Sequence, residues 1–222
     1  MATITETVPI ENLAEFVERI GGVSLDRIRM KPPPGTASVK DVIAALEAPR
    51  KRICELIDGV LVEKVMGAKE SIFAGKIHTF LELYLHDIDE EPGLFLVADG
   101  TLEILPSLVR IPDLSFVSWD RLGVDEWPDE PVPNVVPDLA VEVISKGNTK
   151  GEMTRKLRDF FEAGVTEVWY VYPKTQSIEV YSSPTKLRRF FKDSTLSGSA
   201  VFPGFTLPLS KLFASIRRSK KR

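Results

Sequence analysis

Residues 135–145 read VVPDLAVEVIS, and this run constrains the fold more than any other stretch of the 222-residue chain. Successive side chains of a strand leave opposite faces, so Leu139, Val141 and Val143 share one side and Ala140, Glu142 and Ile144 the other. Both sides are apolar except at Glu142, which suits the centre of a sheet covered on both faces. An ionised carboxylate in that setting is expensive unless it is paired or bound to a cation. Glu142 is therefore either salt-bridged, with Arg110 as the candidate partner, or a ligand of a metal ion.

The flanking sequence supplies the rest of such a sheet. RICELIDGVLVEKVM places apolar runs on either side of Asp58-Gly59, the pattern of a tight hairpin. From Ala68 to Ile88, the residues Phe73, Ile77, Phe80, Leu81, Tyr84 and Ile88 recur at helical spacing, predicting the longest helix. LFLVADGTLEIL predicts a second hairpin around Asp99-Gly100, LVRIPDLSFVSW a strand with Pro112 near its start, and DEWPDEPVPN an acidic surface loop. Thr149 and Glu152 form a capping box before the apolar stripe of Met153, Leu157, Phe160 and Phe161, and Gly164 stops that helix. VTEVWYVYP, SIEVYSS and KLRRFFK read as a closing meander that ends in FPGFTLPLSKLF. The fold class is α/β (α+β), a mixed β-sheet flanked by helices. Ahead of it, residues 1–49 form a helical extension interrupted by KPPPGTAS, an adaptor outside the core.

Composition narrows the chemistry. With 43% hydrophobic and 27% charged residues the chain falls in the globular range, and it lacks the roughly 18 consecutive apolar residues of a membrane-spanning helix. Its first residues, MATITETVPIENLAEF, do not form a secretory signal, so a cytoplasmic location and no membrane partner are expected. Cys54 is the only cysteine and His78 and His86 the only histidines, which excludes an intrachain disulfide and a thiolate zinc site and argues against a catalytic triad or a zinc-hydrolase helix. Carboxylates, lysines and hydroxyls remain. Net charge is −3, yet residues 214–222 form a basic tail; with Lys211, the residues Arg217, Arg218, Lys220, Lys221 and Arg222 bring six positive charges and no acid. Such a tail can serve as an electrostatic arm for nucleic acid.

Beside Glu142, three residues stand out as candidates: Asp113, Lys156 and Glu70. Asp113, like Asp138, follows a proline at the head of an apolar strand. With about 100° per residue and Met153 at zero, Lys156 falls near 300°, flanking the apolar stripe, and could reach over the strand end toward Glu142. Arg155, near 200°, should face solvent. Glu70 lies on the buried face of the long helix one turn before Phe73, where it points at the sheet or serves as a first-turn acid favoured by the helix dipole. His78 and His86, eight residues apart, read as packing or surface residues, and the three tryptophans as core or loop anchors.

MGAKES (66–71), VRIPDLSFVSWDRL (109–122), PDLAVEVISKGNTKGEMTRKLRDFFEAGVTEVWYV (137–171) and FPGF (202–205) together resemble the Uma-two family, within the PD-(D/E)XK nuclease superfamily. The resemblance spans about residues 50–213. It implies a restriction-endonuclease-like core, a divalent metal, DNA as substrate, and Asp113 and Glu142 as the two strand-borne carboxylates. Glu70 matches a first-helix acid that supports the metal through water. One departure is plain: the position for the lysine of the ExK element holds Ile144. Related nucleases supply that lysine from the following helix, which nominates Lys156.

The implied chemistry is coherent. Asp113 and Glu142, with Glu70, would hold Mg2+ or Mn2+ through oxygen, and the ion would activate water and polarise a phosphoryl oxygen. Without a cation between them, Asp113 and Glu142 would repel each other. Lys156 would neutralise developing charge, and the basic side chains Lys146, Lys150, Arg155, Lys156 and Arg158 suit a phosphate track. Cutting both strands favours a homodimer. The alternative is a catalytically inactive nuclease-fold module that binds DNA or a protein.

Overall fold

The computed structural model describes residues 11–64, 67–97 and 99–214. Two N-terminal helices, α1 (Leu13–Arg19) and α2 (Val39–Glu47), precede the hairpin of β1 (Cys54–Ile57) and β2 (Val60–Glu63). Asp58 and Gly59 make its turn with φ of 49° and 72°, the left-handed backbone that a two-residue hairpin needs. The long helix α3 (Ala68–Asp87) follows, then β3 (Gly93–Val97), β4 (Leu102–Leu105), β5 (Leu108–Arg110), β6 (Leu114–Ser118) and the single turn α4 (Trp119–Leu122). After the acidic loop come β7 (Leu139–Val143), α5 (Lys150–Ala163), β8 (Glu167–Tyr172), β9 (Ser177–Ser183), β10 (Lys186–Phe191), β11 (Thr195–Ser197), β12 (Thr206–Pro208) and α6 (Leu209–Leu212).

Six strands form the main sheet in the order β10-β9-β8-β7-β6-β3, with β7 and β8 parallel and the other neighbours antiparallel. The sheet is thus mixed, and β7 lies inside it. Leu139, Val141 and Val143 face α3, packing with Phe73, Ile77 and Leu81, while Ala140 faces α5 with Met153, Leu157 and Phe160. All five residues of β7 are buried, as expected of a strand covered on both faces.

Two expectations fail where pairing is not local. No hairpin joins the strands around Asp99-Gly100: β3 pairs with β6 at the edge of the main sheet, whereas β4 pairs with β5 in a second sheet of order β2-β1-β5-β4. The tight hairpin is β4–β5, turned at Ser107 with φ of 62°. Likewise 108–119 is not one strand. β5 ends at Arg110 and β6 begins at Leu114, so the chain changes sheet across Ile111, Pro112 and Asp113. Proline cannot donate to a ladder, and the break falls around it.

The N-terminal residues are also more deeply built in than an adaptor would be. Ile20, Val23 and Ile28 share a buried cluster with Ile57, Val60 and Val62, and Val42 packs with Cys54, Leu56 and Val109. Gly21 lies against α5, where its φ of +95° and a would-be Cβ 3.0 Å from the Cα of Glu152 leave no room for a side chain. The basic tail from residue 215 onward lies outside the described residues.

Candidate active site

Sheet register and one helix assemble a buried charged cluster at the junction of the two sheets. Leu114 pairs with Val141, so Asp113 and Glu142 come to adjacent strands, and Asp113 is tied down by its Oδ2, which accepts the Val143 N–H at 2.8 Å. Glu142 projects on the face that α5 covers. There the Lys156 ammonium donates to Glu142 Oε1 at 2.8 Å, so the flanking helical position does bring these two groups into contact. Arg110 is not the partner of Glu142. It pairs instead with Glu55, at 2.8 Å, and with Asp159.

Two members of the cluster escape sequence reasoning. Glu55, from β1, stands 2.9 Å from Lys156 and also accepts the Ile111 N–H at 3.2 Å. Lys64, at the end of β2, lies 2.8 Å from Asp113 Oδ1 and donates to the Ile111 carbonyl. The signal for Glu55 was available: it is a carboxylate inside the apolar run CELI, the same anomaly that singles out Glu142. For Lys64 no comparable signal exists, because a lysine ending a strand is ordinary.

Exposure of Glu55, Asp113, Glu142 and Lys156 is 1, 7, 4 and 3%, so their charges are held by one another rather than by water. Burial pushes the Glu142 carboxyl up to about 6, with Asp113 and Glu55 adding to the rise against the pull of Lys156 and Lys64. Burial would raise Glu55 too, but Lys156, Arg110 and Lys64 outweigh it and hold that carboxyl near 2. Burial disfavours a charge on Lys156, yet Glu142 and Glu55 prevail and its ammonium is held above the usual lysine range. The expected repulsion between Asp113 and Glu142 is thereby relieved from within: each has a lysine of its own.

Other candidates fall elsewhere. Glu70 sits in the first turn of α3 with its carboxylate folded back over Gly67, where a Cβ would lie 2.0 Å from Oε2. Among the described residues it makes no hydrogen bond or ion pair with Asp113, Glu142 or Lys156. Asp138 accepts from Arg121 at 2.6 Å and caps the chain at Ser118, a structural role. Arg155 does not face solvent; it pairs with Asp159 and Asp58 and donates to the Arg19 carbonyl, because the N-terminal residues cover that side of α5. Glu152 leaves its capping box half made: its N–H bonds to Thr149, but its carboxylate takes a two-pronged pair from Arg27. The basic run therefore offers solvent only Lys146, in the loop before α5, and Lys150 and Arg158 on the helix.

A family model described as Uma2, "putative restriction endonuclease", matches residues 41–210. The chain belongs to the Uma2 family. Membership supports a nuclease reading of restriction-endonuclease type and agrees with the resemblance carried by residues 66–71, 109–122, 137–171 and 202–205. A crystal structure titled as a putative nuclease belonging to DUF820, from Anabaena variabilis, is similar with a TM-score of 0.62 at 18% identity. The match covers 72% of this chain and 89% of that one, and at such identity it speaks for the fold alone. No match was found among curated proteins. Among the described residues no helix is long and apolar enough to cross a membrane.

Proposed function

We propose that the chain is a cytoplasmic, metal-dependent endonuclease that hydrolyses DNA phosphodiester bonds as a homodimer. The observation that carries this reading is the 2.8 Å contact from Lys156 to Glu142, which supports an acid, acid and lysine set although Ile144 occupies the strand position of the lysine. Asp113 and Glu142 would hold the ion. Among the described residues no group of three or more His, Cys, Asp or Glu side chains is gathered for a metal, and the proposed donors are these two carboxylates, each of which now contacts a lysine. That set fits Mg2+ or Mn2+, since magnesium commonly keeps several waters and takes only one or two carboxylates beside substrate phosphate. Bound there, a divalent ion supplies Lewis acidity toward a phosphoryl oxygen and an acidified water.

The chain's own groups have separate tasks. The Val143 N–H fixes Asp113, and Glu55 with Arg110 fixes the amine of Lys156 beside Glu142. Lys156 remains an ammonium at neutral pH and is suited to stabilise charge that develops on the attacked phosphate. Glu70 is the outlying member; its support through water is proposed on the resemblance alone.

Plasmid nicking tests the reading. Cleavage should require Mg2+ or Mn2+ and cease with chelator, and Asp113→Asn, Glu142→Gln and Lys156→Met should each lose it, by 100-fold or more as an order of magnitude. Persistent cleavage in Asp113→Asn or Glu142→Gln would sink the proposed site, and full activity in Glu70→Gln would remove that residue from it. One observation favours a second reading, an inactive DNA- or protein-binding module: Lys64 and Lys156 already neutralise the carboxylates without any ion. DNA binding with no metal-dependent cleavage selects that reading. Sedimentation of the full chain checks the homodimer.

A further inference from the structure

Beside the charged cluster, on the same face of the main sheet, a cavity of about 320 Å³ opens between α5 and strands β7, β8 and β9. Ile144, Tyr170, Tyr172 and Tyr181 line it, and Lys150 and Thr154 of α5 stand at its rim. Tyr170 is paired in register with Glu142, and Ile144 follows Glu142 by two residues, so the cavity neighbours the proposed reaction centre on the sheet, although no member of the charged cluster lines it. Its size is at the low end for small-ligand pockets, roughly 300–1,000 Å³.

The three phenol groups are already committed. Tyr170 donates to the Met153 carbonyl at 2.7 Å, and Tyr172 and Tyr181 both donate to Glu179 Oε2, at 2.9 and 2.6 Å. Tyr170 and Tyr181 further brace each other edge to face, with ring centroids 5.3 Å apart. What these side chains can offer an entering group is therefore fixed aromatic surface and not free hydroxyls. Outside, Lys150, Thr154 and Arg158 form an exposed i, i+4, i+8 row that also borders a neighbouring depression lined by Arg19 and Arg155. Glu179 in the slot is held by Tyr172, Tyr181 and Arg189, and an aromatic slot opening toward the two exposed cations Lys150 and Arg158 matches a nucleotide, base in the slot and phosphate at the cations.

We infer that this cavity takes an unpaired nucleobase of the substrate strand, so that the protein engages single-stranded or locally opened DNA with little preference for base identity. The inference rests on the nuclease reading for its substrate, but its test does not need cleavage. In chelator, the full chain is titrated with a single-stranded oligodeoxynucleotide whose sole base is one 2-aminopurine among abasic positions, and with a strand of the same length that is abasic throughout. The parent should quench the fluorophore and bind the abasic strand more weakly. Tyr172→Ala should lower affinity roughly 5- to 150-fold, the range of one stacked base. Tyr172→Phe should keep it, and Thr154→Trp, at an exposed rim position where nothing has to be unpacked, should block the slot and lower affinity as well.

Equal affinity for the two strands, parental affinity in both Tyr172→Ala and Thr154→Trp, or no DNA binding at all overturns the base pocket. The two readings separate in a parallel nicking assay with magnesium. Quenching that depends on Tyr172 without any nicking retains the pocket and removes the nuclease; nicking with affinity indifferent to the base does the reverse.

Discussion

Lys156 has two carboxylate partners, and substitution exposes both. It neutralises Glu142 and Glu55, so Lys156→Met leaves two buried carboxylates short of a partner and should destabilise the protein by roughly 3–5 kcal/mol, read from urea unfolding. Adding Glu142→Gln to that variant should recover part of the loss, because one unpaired charge is removed. Glu55 gives the pH dependence. Its carboxyl is held near 2, below its ordinary 4.5, so the folded state binds a proton less readily than the unfolded chain. The resulting stability, about 3 kcal/mol, is complete above pH 4.5 and lost as pH falls toward 2. Glu55→Gln should flatten the acid limb of the stability profile; an unchanged slope between pH 5 and 2 would refute the assignment.

Between elements, the tightest fit is the N-terminal turn against α5. Gly21 and Gly22 both have positive φ, at +95° and +65°, but only Gly21 would drive a Cβ into α5, while a Cβ at Gly22 meets nothing closer than Thr149 Oγ1 at 3.9 Å. Gly22→Ala should cost about 1–2 kcal/mol in backbone strain, and Gly21→Ala at least 1 kcal/mol more from the collision. Equal melting temperatures for the two variants would mean that the turn gives way freely. The same contrast between local and distant determinants marks what the sequence discloses. The Asp58-Gly59 turn, α3, α5 and the doubly covered β7 are legible because each rests on spacing within one segment. The Asp99-Gly100 error arises because turn residues report a reversal but not the sheet in which each arm will pair. Glu142 and Lys156 could be matched from one strand and the next helix. Glu55 is conspicuous as a carboxylate in an apolar run, but its place beside Lys156, like that of Lys64 beside Asp113, depends on the pairing of β1 with β5, a contact that no local pattern encodes.

For the molecule as a whole, a ligand that binds only the folded state stabilises it by mass action. Magnesium at a hundredfold excess over its Kd should add about 2.7 kcal/mol and raise the melting temperature by roughly 5–10 °C, an increase absent from Asp113→Asn. The arm proposed for the basic tail would act over the same scale but through charge alone: removal of residues 214–222 should weaken DNA binding and flatten its dependence on salt, and an unchanged slope would dismiss the arm. The contact between Lys64 and Asp113 then has a thermodynamic consequence. On the proposed function, an ion that settles on Asp113 would displace a buried ammonium, and the anion best able to receive that ammonium would be a substrate phosphate. Metal and DNA would then be linked ligands, each tightening the other by the same factor. Magnesium affinity measured with a cleavage-resistant duplex should exceed that of the free protein, and Lys64→Met should bind the ion more tightly alone while losing most of the coupling.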